Sequence, residues 1–113
     1  MPRLCVVHTL LASALRGEAT YTSDWKKIGW AIEAQLGISV TTEEGTATLN
    51  VIVQTSPDEG RTIFTHTTCT EISAIGTQLN KLTNMGQWLR ISAAVAGDTT
   101  PKFTFSVHLT AKS

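Results

Sequence analysis

The chain has 113 residues, enough for one domain with a sizeable core and too few for two. Its 9 basic and 9 acidic residues cancel, so no net charge attracts it to nucleic acid or to an anionic membrane surface. Two cysteines are too few for a disulfide scaffold, and no apolar run is long enough to span a bilayer as a helix.

The N-terminal segment, residues 1–16, is mostly apolar. A basic residue, an apolar run and a triplet of small residues imitate a secretory signal, but His8 and Thr9 interrupt the run. We therefore expect residues 1–16 to belong to the mature protein as an N-terminal arm or an edge strand. Residues 17–113 are expected to form a single β-sandwich domain.

The next segments change from polar to apolar. Gly17 to Lys27 is rich in Thr, Ser and charge, whereas Ile28 to Val40 is largely apolar. Gly29 and Gly37 disfavour a long helix there, so the pattern favours a strand over a short helix at Ala31–Leu36.

The middle of the chain is predicted from its turn residues. Glu43 to Gly45 predicts a hairpin turn into a strand over Ala47–Thr55, and Ser56 to Gly60 carries the Pro, Asp and Gly of a tight turn. A Thr-rich, β-branched strand is predicted over Arg61–Ile72. Ser73–Gly86 is predicted to be a long loop between sheets.

Alternation of apolar and polar residues is clearest in Trp88–Ala96 and Lys102–Leu109. Because strand side chains repeat every two residues, these segments predict two half-buried strands joined by a turn around Gly97–Pro101. The chain is therefore predicted to be an all-β antiparallel sandwich or jelly roll of about seven or eight strands. The residues predicted to face its core are Leu36, Ile38, Val40, Ala47, Leu49, Val51, Val53, Leu89, Ile91, Ala93, Val95, Phe103, Phe105, Val107 and Leu109.

Residues capable of chemistry are scattered. His8, His66 and His108 have no metal-ligand spacing to one another or to a cysteine, which favours ordinary surface or hydrogen-bonded histidines. There is no nucleophile elbow, glycine-rich phosphate loop or recognisable pair of catalytic carboxylates, so we expect neither an enzyme nor a bound metal or cofactor. Cys5 and Cys69 are expected to be free buried thiols, although a bridge between them stays open.

Charge is uneven along the chain. Glu33, Glu43, Glu44, Asp58 and Glu59 dominate one region and Arg61, Lys81, Arg90, Lys102 and Lys112 the C-terminal half. Solvated loops are one interpretation of this asymmetry. Contact between opposite patches of two subunits is the other.

The tryptophans are the clearest candidates for binding. Strict alternation places Trp88 on the polar side of its strand, and Trp25 and Trp30 lie in polar or turn-rich sequence. Large rigid rings are frequent interface anchors and also serve as sugar-stacking platforms. The alternative for Trp88 is that it caps the core at the start of a strand.

A series of segments, taken in order, resembles the small β-sandwich virion proteins of tailed bacteriophages, of the capsid decoration or cement type. These segments are Leu10–Ala14, Leu49–Ser56 with the charged turn after it, Glu71–Gln78, Leu89–Ile91 and Phe103–Val107.

The resemblance implies a non-enzymatic protein that binds the outer capsid surface, stabilises the shell and is made in the host bacterial cytoplasm. Its implied partners are the major capsid protein and further copies of itself, as a trimer or another homo-oligomer, with no direct contact to nucleic acid or membrane. Carbohydrate-binding or host-attachment modules, and tail or head-to-tail junction proteins, are the alternatives. The expected partner contacts are Leu4, Val6, Val7, Leu10, Leu11, Trp25, Trp30 and Trp88.

Overall fold

A computed structural model describes residues 5–83 and 85–113, and the regular structure in these ranges is β-strand. The strands are β1 (Cys5–Gly17), β2 (Ala19–Thr22), β3 (Lys26–Lys27), β4 (Glu33–Ser56), β5 (Phe64–Thr68), β6 (Gly76–Thr83) and β7 (Trp88–Lys112). No helix in the described ranges is long and apolar enough to cross a membrane.

The two longest strands, β4 and β7, run through both layers of the fold. The first half of β4, Glu33–Glu44, pairs with the second half of β7, Lys102–Lys112. With β6 beside β4 and β1 beside β7, these strands form sheet I. The other halves of β4 and β7, Thr46–Ser56 and Trp88–Asp98, pair between β5 and the β2–β3 edge to form sheet II. The two antiparallel sheets contain four and five strands, which confirms the predicted all-β sandwich.

Two glycines lie where β4 and β7 pass from one sheet to the other. Gly45 has φ 72° and Gly97 has φ 140°, values that side-chain-bearing residues rarely adopt. Around this corner Glu44 pairs with Lys102 and Ala47 with Gly97, so the two long strands bend together. The predicted turns at Glu43–Gly45 and Gly97–Pro101 are therefore wrong as hairpin turns, because the glycines bend continuous strands.

The core lies between the sheets and contains every residue that alternation assigned to it. Each is at most 2% exposed, and Leu10, Ile28, Ala34, Cys69, Leu82 and Ala111 join them. The segment considered for a short helix is strand from Glu33 onward, which confirms the strand interpretation there, whereas residues 28–32 precede β4 and are not strand.

The predicted loop over Ser73–Gly86 is wrong, because β6 occupies much of it. β6 pairs with β4 from Thr83 opposite Glu33 to Gly76 opposite Val40. Two of its core-side residues are the polar Gln78 and Asn80, whose side chains share a 2.9 Å hydrogen bond. Only Leu82 is fully buried, so β6 lacks the apolar alternation that predicts a strand.

Candidate interaction surface

One end of the sandwich gathers all three tryptophans. β3 ends there at Lys27, β4 at Ser56 and β6 at Thr83, and β7 begins there at Trp88. Trp88 pairs with both Lys27 and Ser56. We call this region, formed by residues 25–32, 56–64 and 85–88, the tryptophan end.

Trp25 packs on the outer face of sheet II. The Arg90 guanidinium carbon lies 4.5 Å from its ring centroid, and Arg90 Nε donates a 2.8 Å hydrogen bond to Gln54 Oε1 on the neighbouring strand. The other rim of the indole reaches Gly60, where an added Cβ would lie 2.6 Å from Trp25 Nε1. Trp25 is thus held between a cation and the backbone of a turn, and it is half-buried.

Trp88 lies on the same outer face, two residues before Arg90. It is half-buried between the exposed Gln87 and the buried Leu89, so strict alternation correctly places its side chain outside the core. The Lys27 ammonium lies 5.9 Å from its ring centroid. Each of the two indole rings on this face therefore has a basic side chain over it, Arg90 at Trp25 and Lys27 at Trp88.

Trp30 lies in the connection from β3 to β4, which three backbone hydrogen bonds shape. Ile28 N donates to Gln87 O at 2.9 Å, Ala31 N to Ile28 O at 2.9 Å, and Ile32 N to Lys112 O at 2.8 Å. Trp30 is 37% exposed and Ile32 is 74% exposed. An ordered connection thus presents two large apolar side chains to solvent.

The turn after β4 presents two more apolar residues. Ile63 and Phe64 are both exposed, and Phe64 pairs with Thr55 at the start of β5. Sequence reasoning did not identify Ile32, Ile63 or Phe64 as surface candidates. The sequence shows only that they are apolar residues beside turn residues. That pattern is equally typical of residues buried at the edge of a core.

Asp58 organises that turn. Its Oδ1 accepts hydrogen bonds from Thr62 N at 2.7 Å and Ser56 Oγ at 2.8 Å, and its Oδ2 accepts one from Thr62 Oγ1 at 2.9 Å. These donors, the Thr62 amide first, lower the pKa of the Asp58 carboxyl below 3.8. The turn beneath Trp25 and beside Phe64 is therefore ordered by a carboxylate.

The expected partner contacts differ in exposure. Val7 is 63% exposed on β1 and Trp30 is exposed at the tryptophan end. Leu10 is only 8% exposed and belongs to the chain's own core. Leu4 lies outside the described residues. The half-buried members of the set are Val6, Leu11, Trp25 and Trp88.

The histidines and cysteines are dispersed. His66 Nε2 donates a 2.6 Å hydrogen bond to Thr83 O, and His108 Nδ1 lies 3.4 Å from Thr9 Oγ1. In the described ranges no group of three or more His, Cys, Asp or Glu residues could hold a metal ion. Cys69 is free and buried, and burial raises the pKa of its thiol. Cys5 is free but exposed, so the expectation of burial was wrong for it.

Strand register places two of the acidic residues, Glu33 and Glu44, next to basic residues within the chain. Glu33 pairs with Lys112 across one strand boundary, and its carboxylate lies 3.9 Å from the Lys81 ammonium across the other. Glu44 pairs with Lys102. Exposed pairs of this kind contribute little stability. They show that acidic and basic residues from separate parts of the sequence lie side by side on neighbouring strands. Glu33 and Glu44 therefore lie on strands, beside basic residues, and not in solvated loops.

Comparisons with known proteins find similarity in structure. No protein-family model and no curated protein sequence matches the chain. The PBSX exported protein XepA is similar over 94% of this chain and 36% of that one, at a TM-score of 0.68 and 11% identity. The VP2 protein of an infectious bursal disease virus subviral particle is similar over 97% of this chain and 32% of that one, at a TM-score of 0.67 and 9% identity.

A third similarity covers most of both chains. It is to the Bacillus endospore appendages, described as a family of disulfide-linked pili, over 98% of this chain and 83% of that one, at a TM-score of 0.51 and 14% identity. The chain spans about a third of the length of XepA and VP2. At these identities the similarities establish the fold alone.

Proposed function

We propose that this chain is a non-enzymatic structural protein of a bacteriophage virion that decorates the outer surface of the capsid and stabilises it. The observation that carries the proposal is the similarity of 97% of the chain to part of VP2 in a subviral particle, at a TM-score of 0.67. The ordered sequence resemblance to phage decoration proteins supports the same assignment. The proposed partners are the major capsid protein and further copies of this chain.

The tryptophan end is the proposed capsid contact. Of the exposed large hydrophobic residues in the described ranges, Trp30, Ile32, Ile63 and Phe64 lie there, while the others are spread over the remaining surface. Concentrated apolar side chains on a soluble surface mark interaction sites, and aromatic rings are common anchors within them. The ordered 56–62 turn and the hydrogen-bonded 28–32 connection hold these side chains in place.

Apolar contact, rather than charge, is proposed to supply the binding free energy. The net charge is zero, and Glu33 and Glu44 pair with Lys112 and Lys102 on the neighbouring strand. Each copy then binds the shell modestly, but repeated contacts on one lattice raise the effective concentration and hold the array.

Electron cryomicroscopy of virions from the source phage tests the proposal. We expect density for this chain in repeated clusters over the capsid lattice, with the tryptophan end against the shell. Density confined to the tail or the head-to-tail junction, or particles lacking the chain, would contradict the decoration role.

A variant pair tests the contact itself. Trp30→Ala combined with Phe64→Ala is expected to abolish co-sedimentation with capsids that lack the protein. Ile75→Ala is the matched control, because Ile75 is 64% exposed but lies in the connection before β6, away from the tryptophan end. Equal binding by both variants would place the contact elsewhere.

Carbohydrate binding is the alternative favoured by the common outer face of Trp25 and Trp88. A sugar ring stacks on a free aromatic face, whereas Arg90 and Lys27 each cover one face of these indoles. Glycan-array binding that is lost in Trp25→Ala and Trp88→Ala would support this alternative over capsid decoration.

A further inference from the structure

The edges of the two sheets differ in how well they are protected against pairing with another strand. An exposed edge carries unpaired backbone donors and acceptors, and proteins obstruct such edges with charges, bulges, short strands or covering segments. Among the described residues, sheet I has β1 and β6 at its edges, and sheet II has β5 and the β2–β3 segment.

Obstruction is evident at β5, at the β2–β3 edge and at the Thr83 end of β6. His66 of β5 donates to Thr83 O of β6 and so ties these two edges together at one end. β6 also carries Lys81. The β2–β3 edge is interrupted at Ser23, which exchanges two 3.0 Å hydrogen bonds with Ile91, and it ends in two lysines.

β1 is obstructed only in its second half. Register shifts occur between Thr9 and Leu11 and between Leu11 and Ala14, and the Arg16 guanidinium donates a 2.7 Å hydrogen bond to Ala12 O. Such bulges disturb the regular spacing that a new strand would need.

The first half of β1, Cys5–Thr9, has none of these features. It pairs residue by residue with Lys112 back to His108, without a shift, and contains no Lys, Arg, Asp, Glu or Pro. Its outward-facing Val7 is 63% exposed. This half of β1 is a regular, uncharged strand edge with an apolar side chain at its centre.

We propose that Cys5–Thr9 pairs antiparallel with the same segment of a second copy of this chain, about a two-fold axis at Val7. The inference rests on the self-association included in the proposed function and identifies the surface for it. Such an axis places Val7 opposite Val7, Cys5 opposite Thr9 and Val6 opposite His8 of the second copy. A two-fold axis brings identical residues together, so a charged strand would repel itself whereas this one does not.

Pairing about this axis joins sheet I of the two copies into one continuous sheet. The contact is small, because five residues per strand bury far less than the ~1,200 Å² of a stable interface. It is therefore weak between isolated chains and strengthened where many copies are held close together on a lattice.

Disulfide trapping tests the register on the isolated chain. In Thr9→Cys, the new thiol lies opposite Cys5 of the second copy, at the roughly 4.5–5.5 Å Cα separation that a disulfide spans. Within one chain the same two positions are about 13 Å apart along the strand and cannot join. We expect a disulfide dimer linked between positions 5 and 9, identified by peptide mass spectrometry, at a yield that rises with protein concentration.

Two controls make the result specific. Wild type and the Cys5→Ser/Thr9→Cys double variant place no two thiols opposite each other, so neither is expected to form this disulfide dimer. Absence of the dimer in Thr9→Cys, or an equal yield in the double variant, would overturn the proposed register.

Charge insertion supplies a second measurement. In the Thr9→Cys background, Val7→Lys places two lysines opposite each other and is expected to slow trapping roughly tenfold. Leu79→Lys is the matched control on the β6 edge, where the side chain is 66% exposed, and it should leave the rate unchanged. Equal rates would overturn the pairing. If trapping fails but virions show density for this chain on the capsid, the strand pairing is overturned and the decoration role still stands.

Discussion

The Arg16 guanidinium donates a 2.8 Å hydrogen bond to the Phe105 carbonyl oxygen and lies 4.8 Å from the centre of the Phe105 ring. It also donates to Ala12 O, within the second bulge of β1, and lies 5.6 Å from the Tyr21 ring centroid. One side chain therefore joins β1, β7 and β2 at the edge shared by the two sheets. The Ala12 carbonyl lies in the bulge, where the regular strand pairing is interrupted, and Arg16 supplies a hydrogen-bond donor to it.

Arg16→Ala is expected to lower the free energy of unfolding by roughly 1–3 kcal/mol, because it removes the short charge-assisted hydrogen bonds to the Phe105 and Ala12 carbonyls and the longer one to Ala14. Arg16→Lys should fall between wild type and alanine, since an ammonium cannot span the Phe105 and Ala12 carbonyls as the guanidinium fork does. Urea denaturation followed by far-ultraviolet circular dichroism measures both. Arg61→Ala, at an exposed position, should change stability by no more than about 0.5 kcal/mol. A similar loss in both alanine variants would mean that Arg16 has no special role.

Trp25 and Arg90 should be energetically coupled. Their 4.5 Å contact is half-buried, so a double-mutant cycle of Trp25→Leu and Arg90→Ala is expected to give a coupling free energy of about 0.5–1 kcal/mol. Arg90→Ala should also change the fluorescence emission of Trp25. Gln54→Ala separates the contribution of the Arg90–Gln54 hydrogen bond from that of the ring. Additive effects in the Trp25–Arg90 cycle would argue against a direct interaction.

Gly60→Ala should destabilise the tryptophan end. Gly60 has φ 99°, and an added Cβ would lie 2.6 Å from Trp25 Nε1, so both the backbone and the contact oppose a side chain. A loss of about 1–3 kcal/mol is expected in thermal or urea unfolding. Gly17→Ala is the matched control, because its Cβ would meet nothing within 4 Å, and it should be neutral or slightly stabilising. Equal effects at the two glycines would contradict the contact with Trp25.

The core could be predicted from the sequence because each half of β4 and β7 has one face on the interior. Residues such as Leu49, Ile91 and Phe105 therefore alternate with polar neighbours and are all buried. The corner at Gly45 could not be predicted in the same way. A glycine at positive φ suits a hairpin and a strand bend equally, and pairing with the distant β7 decides between them.

The candidate surface was only partly predictable for a related reason. Trp88 follows strict alternation, so its place outside the core could be inferred. Ile32 and Phe64 are apolar residues beside turns, and exposure of such residues depends on where the connections lie at the end of the sandwich. The long-range bond from Ile32 N to Lys112 O, which positions Ile32, leaves no local signal in the sequence.

Acid should weaken the turn that Asp58 organises. Its carboxyl pKa is lowered in the folded chain, first by the Thr62 amide, so the carboxylate form is favoured on folding. The stabilising contribution is therefore present above the unfolded value near 3.8 and is lost as pH falls through the lower folded value. The difference in stability between wild type and Asp58→Ala should be constant above about pH 5 and shrink below it. A difference that grows as pH falls would contradict this sign.

The two thiols should differ in reactivity. Cys5 is exposed, whereas Cys69 is 4% exposed and its pKa is raised by burial, which disfavours the reactive thiolate. Ellman's reagent is expected to titrate one thiol rapidly in the folded chain and a second only after unfolding. Cys5→Ser should abolish the rapid phase, and Cys69→Ser should leave it intact.

If Cys5–Thr9 pairs with a second copy, the rapid phase should also slow as protein concentration rises, because the paired strand restricts access to the Cys5 thiol. Rapid reaction of both thiols in the folded chain would show that the core around Cys69 opens far more readily than its burial implies.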